Sequence, residues 1–156
     1  MELKLQKAYL SDCKKIHIMQ VKSFKLLLNK YNDINTNPGA ESLEKVIARM
    51  KQDFTDYYFI QLNEENIGAI RILRLQGNIF RISPMFILPK FQGKGLAQQT
   101  IKAVGTLYPQ AEGWQLDTIK EETKLCHLYE KMGYKKTGKE EILQDNMTIV
   151  QYGKQV

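Results

Sequence analysis

The stretch Ile87-Leu88-Pro89-Lys90-Phe91-Gln92-Gly93-Lys94-Gly95-Leu96-Ala97 reads as the end of a strand, a glycine-containing loop and the start of a helix. Gly93 and Gly95 lack Cβ, so the backbone can take positive φ and direct consecutive N–H groups at one point. Such a point suits an anion. The first turn of the following helix adds unpaired donors and the positive end of its dipole, so a pyrophosphate can be held there without a metal. Two better-known phosphate loops fit less well. A Walker A loop begins with Gly and ends in Gly-Lys-Ser/Thr, whereas Leu88 holds the first position here and Gly95 follows the lysine. A dinucleotide fingerprint needs a third glycine where Gln98 stands, and no first-strand βαβ unit precedes the loop.

Upstream of the loop, Ile79 to Leu88 is nearly continuous in apolar residues and predicts a central strand buried on both faces. Pro84 inside it cannot donate to a ladder, which predicts a bulge or a break in pairing there. Tyr57 to Leu62 and Ile67 to Leu75, separated by polar Asn63 to Asn66, read as a hairpin. Before them come a short strand, Glu2 to Lys7, and a helix capped by Ser11 or Asp12 whose apolar residues are Ile16, Met19, Leu27 and Tyr31. Turn formers from Asn32 to Gly39 break that helix, and Leu43, Val46, Ile47 and Met50 stripe a second one.

Downstream, Ala97, Ile101, Val104 and Tyr108 keep the spacing of a core-facing helix. Trp114 to Ile119 is a strand, Glu121 to Lys131 a short helix closed by Gly133, and Tyr134 to Leu143 with Met147 to Tyr152 a hairpin about Asp145 and Asn146. Hairpins and crossovers occur together, so the pattern predicts an α+β fold with helices on both faces of one sheet.

Composition bounds the function. A chain of 156 residues, 43% apolar and 26% charged, supports one packed domain over residues 1–156. No signal peptide or apolar run of membrane-spanning length is present, which predicts a cytoplasmic protein with no membrane partner. Cys13 and Cys126 define no disulfide framework, and with isolated His17 and His127 they complete no metal-ligand spacing. The net charge of +6 would attract polyanions, but no dense Lys/Arg stretch with interleaved aromatics appears, so no nucleic-acid partner is expected.

Gln92-x-x-Gly95-x-Ala97 resembles the acyl-CoA signature of the GNAT N-acetyltransferases, and Leu128-Tyr129-Glu130-Lys131-Met132-Gly133-Tyr134 is similar to that family's second signature. The resemblance implies an α/β/α sandwich around a mixed, mostly antiparallel sheet of about seven strands. It implies acetyl-CoA as co-substrate, a primary amine as acceptor and direct attack in a ternary complex. Backbone groups of Gln92, Gly93, Lys94, Gly95, Leu96 and Ala97 would bind the pyrophosphate, and Phe86 and Ile87 would pair with the pantetheine arm like an added strand. Tyr129 stands where the family's general acid stands; its phenol, ordinarily titrating near ~10, is protonated at neutral pH. The plainer reading is that its ring only packs.

Where some members carry a glutamate base, this sequence has Arg81. Asp117 could act through a water instead, or serve as a cap or substrate contact. Glu122 and Leu125 replace a common Asn and a common small residue, which touches the side-chain contacts to pantetheine. Cys126 can share a helix face with Tyr129, as a nucleophile or as a buried apolar residue. Acceptor recognition would fall to Tyr31 to Glu41 and Glu140 to Met147. The resemblance permits a homodimer. A CoA-binding sensor without turnover and a basic nucleic-acid binder are the competing classes.

Overall fold

A computed structural model describes residues 2–156. Alternating apolar residues in the first half fold as a meander. β1 (Leu3–Lys7) lies antiparallel to β2 (Thr55–Leu62), which turns through Asn63 and Glu64 into β3 (Glu65–Arg74). Both turn residues have positive φ, 50° and 71°, the backbone twist that a two-residue hairpin requires. β3 pairs antiparallel with β4 (Ile79–Ile87), and β5 (Gly113–Ile119) runs parallel to β4. β6 (Lys135–Gln144) and β7 (Met147–Gln155) make the closing hairpin. The strands form one seven-stranded sheet in the order β1-β2-β3-β4-β5-β7-β6, antiparallel except between β4 and β5. The expected α+β architecture is therefore present.

Two helical layers cover the sheet. On one face α1 (Cys13–Tyr31) and α2 (Leu43–Met50) bury Ile16 and Val46 against Tyr57, Phe59, Ala69 and Phe86. On the other, α3 (Leu96–Leu107) and α4 (Thr123–Lys131) bury Leu96, Ile101, Val104 and Tyr129 against Ile70, Ile72, Leu116 and Val150. Each fully buried Leu or Ile of this kind stabilises by about 1.5–3 kcal/mol. A smaller cluster of Tyr31, Ile119 and Met147 fastens the end of α1 to β5 and β7. Local chemistry sets the helix bounds. Ser42 Oγ accepts the Lys45 N–H at 3.2 Å to start α2, and Asn32 in the left-handed conformation, φ 54°, ends α1.

β4 is buried into both layers, as expected of a central strand: Phe80, Ile82 and Ile87 join the α3/α4 core and Phe86 the α1/α2 core. Two expectations are corrected. Asp12 occupies the N-cap position of α1 but its side chain does not cap it: a 3-10 turn, Leu10–Asp12, precedes the helix, and Asp12 Oδ2 accepts the Tyr9 N–H at 2.8 Å. The helix expected from Glu121 begins at Thr123, since Glu121 is held by Thr148, whose N–H and hydroxyl donate at 2.7 and 3.0 Å.

The expected irregularity at Pro84 is found. Ile70 faces Met85 and Ile72 faces Ile82, so Arg71 alone opposes Ser83 and Pro84. This is a β-bulge, and it bends the bulged strand. On the other edge of β4, pairing to β5 covers Ile79, Phe80 and Arg81 and then stops. Beyond Arg81 and Gln115 the two parallel strands have no ladder between them.

Candidate active site

The separation of β4 from β5 leaves main-chain groups of β4 without a strand partner. Leu88 donates its N–H to Ile67 O at 2.8 Å, which fixes the alternation in this part of the strand. The N–H and C=O of Phe86, two residues earlier, face Ala69 on β3, and those of Met85 and Ile87 point to the gap. Of the expected pair, Ile87 thus presents its backbone to the gap and Phe86 does not; Met85 takes the second place. Gln92 Nε2 donates to Ile87 O at 2.7 Å, which anchors the loop on the strand. On the β3 side the approach is close. A Cβ on Gly68 would stand 2.1 Å from Phe86 O, so only glycine permits the ladder there.

The loop after β4 has the geometry that its glycines suggest. Gly93 and Gly95 both have φ 76°, and a Cβ at either would meet nothing within 4 Å. Gln92 N–H is spent on Pro89 O at 3.2 Å. Among the described residues, the N–H groups of Gly93, Lys94 and Gly95 donate to no main-chain acceptor. Gly95 is the N-cap of α3, so the unpaired donors of the first helical turn, Leu96 and Ala97 included, continue the row. Lys94 is exposed beside them, with its Nζ over the Phe91 ring. A row of free amides, open space above it and a helix dipole fit a diphosphate, and the gap beside Met85 and Ile87 fits an extended arm.

Tyr129 projects from α4 into the core, edge-on to Tyr134 and tilted against Tyr152, with ring centroids 6.1 and 6.3 Å away. Burial, reinforced by nearby Cys126, pushes its phenol up to about 12. Other buried tyrosines here donate to carboxylates: Tyr152 to Glu130 at 2.6 Å, Tyr108 to Asp56 at 2.8 Å, Tyr31 to Glu122 at 2.5 Å. Among the described residues no carboxylate takes the Tyr129 hydroxyl. Cys126 is buried, its thiol directed to the carbonyls of Ile119 and Lys120 at 3.7 Å, and no base lies on it.

Asp117 accepts from Arg81 at 2.5 Å, on the α1/α2 side of the sheet where β4 and β5 part. The position that lacks the glutamate is thus neutralised by an ion pair. Glu122 is explained by its partners: Lys30 at 2.6 Å and Tyr31 join it from the end of α1. Burial works against its charge, but these two donors outweigh it and hold its carboxyl below the ordinary value. Of the expected recognition segments, Glu41 lies inside, bridged by both guanidinium nitrogens of Arg49 at 2.6 and 2.8 Å. Glu140 and Glu141 are exposed on β6, with Glu140 paired to Lys120 at 3.1 Å.

Sequence reasoning missed a row of polar groups beneath α1 and α2, made of Gln20, Tyr57, Arg71 and Arg49 with Glu41. The available signal was Arg71 itself, a charged residue within the apolar run Ala69-Ile70-Arg71-Ile72. Among the described residues no cluster of His, Cys, Asp or Glu could hold a metal, and no helix is long and apolar enough to cross a membrane.

The fold is thus a mixed sheet opened beside its central strand, with a glycine loop at a helix N-terminus. Residues 30–156 match the acetyltransferase (GNAT) domain, and the chain belongs to that family. Solved structures agree in fold. PaiA N-acetyltransferase from Thermoplasma acidophilum, in complex with coenzyme A, is 14% identical and superposes with a TM-score of 0.77 over 100% of both chains. A spermidine N-acetyltransferase chimera from Vibrio cholerae SpeG and hSSAT is 16% identical, TM-score 0.75, covering 99% of this chain and 96% of that one. The microcin C7 self-immunity acetyltransferase MccE, in complex with acetyl-CoA and AMP, is 16% identical, TM-score 0.73, covering 99% and 93%. No curated protein matches in sequence.

Proposed function

We propose that the protein is an acetyl-CoA-dependent N-acyltransferase that moves an acetyl group to a primary amine by direct attack in a ternary complex. The observation that carries this reading is the β4–β5 gap opening beside the free amides of Gly93 to Gly95. Family membership and the coenzyme A complexes of similar folds support it. In this reading the backbone of Gln92 to Ala97 binds the pyrophosphate, and the strand segment of Phe86 and Ile87, through Ile87 and Met85, pairs with the pantetheine arm. The acceptor nitrogen attacks the thioester carbonyl from the α1/α2 side. The C–N bond forms, the C–S bond breaks, and Tyr129 gives its proton to the departing sulfur. Asp117 orients the acceptor N–H, and the proton shed by nitrogen leaves through water, which also restores Tyr129.

A thermal-shift titration tests the first half. Acetyl-CoA at one hundred times its Kd should add about 2.7 kcal/mol of stability and raise Tm accordingly. Gly95→Val should abolish the shift, since its φ of 76° and the open space above it are both lost. Thiol release with an amine panel tests the second half. Binding without release from any amine would retire the enzyme and leave a CoA-binding sensor.

A further inference from the structure

Arg71 is a buried cation without a counter-ion. It is 6% exposed, yet its guanidinium meets only neutral oxygens, Ser83 O and Gln52 Oε1, both at 2.9 Å. Its Nε has no partner among the described residues. Burying an unpaired guanidinium is costly, and proteins rarely retain one unless an anion completes it. Tyr57, 1% exposed, faces Arg71 directly across the β2–β3 ladder, and its hydroxyl is likewise without a partner. Two orphan donors therefore sit on cross-strand neighbours of the α1/α2 face.

The nearby carboxylates are already committed. Glu41 is held by Arg49 and also accepts from Gln20 at 2.8 Å; Asp117 is held by Arg81. The row leads to the gap. Leu73, on the same face of β3 as Arg71, stands opposite Arg81, and Arg81 stands opposite Gln115, which shares a face with Asp117. Ser83, whose carbonyl Arg71 holds, belongs to the bulge in β4. Along this row the arginines Arg49, Arg71 and Arg81 outnumber the acids Glu41 and Asp117, a poor receptor for a polycation and a good one for an anion beside an amine.

We propose that the acceptor amine carries a carboxylate, as an amino acid does, and that Arg71, Tyr57 and Arg81 seat that carboxylate on the α1/α2 side of the gap. The proposal rests on the acyltransferase reading and names its substrate class. The amide oxygen of Gln52 occupies one of the places on Arg71 that the carboxylate takes. With the anion seated there, the amine faces the gap, where Asp117 receives its N–H.

Thiol release from acetyl-CoA is measured with each proteinogenic L-amino acid, with the matching carboxamides, and with putrescine and spermidine. At least one free amino acid should exceed its carboxamide by ~100-fold or more in kcat/KM, since a desolvated charged contact is lost. Arg81→Gln should lower kcat/KM for that amino acid ~10-fold or more, mainly through KM, with the acetyl-CoA thermal shift retained. Arg71→Met should raise the Tm of the free protein, because an unpaired charge leaves the interior, and should erase the preference for the free acid. Carboxamides or polyamines turned over as well as free amino acids would overturn the proposal, with the acetyl-CoA shift still upholding the enzyme. If acetyl-CoA binds and no amine reacts, the same pairs are compared by thermal shift on CoA-saturated protein. Equal shifts from acid and carboxamide would then overturn it. An absent acetyl-CoA shift removes the reading beneath it and the proposal together.

Discussion

In the proposed mechanism the proton donor is a single side chain, Tyr129. Burial keeps its phenol neutral, up to about 12, and the neighbouring aromatic rings fix its direction. A donor with that titration stays loaded throughout an ordinary assay range. The Tyr129→Phe variant should therefore keep the acetyl-CoA thermal shift and lose ~100-fold in kcat, the usual worth of a general acid. In the parent protein no falling limb from this group should appear between pH 7 and ~10; a limb there that vanishes in Tyr129→Phe would contradict the upward shift of its phenol. At this scale the sequence was informative on backbone conformation, as with the positive φ of Gly93 and Gly95. It was silent on Tyr57 and Gln20, whose meaning lies in what stands across a ladder or under a helix. It was silent also on the partners of Glu122, since Lys30 and Tyr31 lie about ninety positions away in the sequence.

Between elements, carboxylates act as ties. Asp56 on β2 accepts from Lys7 of β1 and from Tyr108 after α3, both at 2.8 Å, and from Arg74 of β3. Burial opposes its charge, but the Arg74, Lys7 and Tyr108 donors win and bring its pKa from 3.8 to about 2. A carboxyl whose folded pKa is depressed contributes stability above its unfolded pKa and loses it as pH falls through the folded one. Asp56→Asn should thus cost about 1–2 kcal/mol at pH 7, after discounting for its half-exposed partners, and almost nothing near pH 2. Urea unfolding at several pH values measures this; a cost that does not shrink in acid would contradict it. Glu122→Gln should free the end of α1, seen as faster hydrogen exchange from Leu27 to Asn32 with little change elsewhere. Periodicity located the α-helices and strands, because alternation and helical spacing are local, but not the short 3-10 turns between them. Several element ends were misplaced: at Asp12 the carboxylate is spent on the Tyr9 N–H three residues earlier, at Glu121 on Thr148 from β7, and β2, β3 and β7 run past the ends that periodicity alone marks.

For the molecule as a whole, the sheet has two blocks: β1 to β4, and β5 with β7 and β6. Their parallel seam is made by Ile79, Phe80 and Arg81 only. Coenzyme binding should slow amide exchange at Met85 and Ile87 more than at Phe86, whose N–H already bonds β3. Equal protection at all three positions would place the arm elsewhere. The α3/α4 core is continuous across the seam and draws residues from both blocks.

That short seam has a consequence for how long the protein survives. A wedge-shaped opening through the middle of a sheet is where thermal opening begins and where a protease first finds extended chain. Whatever fills the wedge also shuts that door, so on the proposed function the lifetime of the protein should rise and fall with the supply of acyl thioester, quite apart from any turnover.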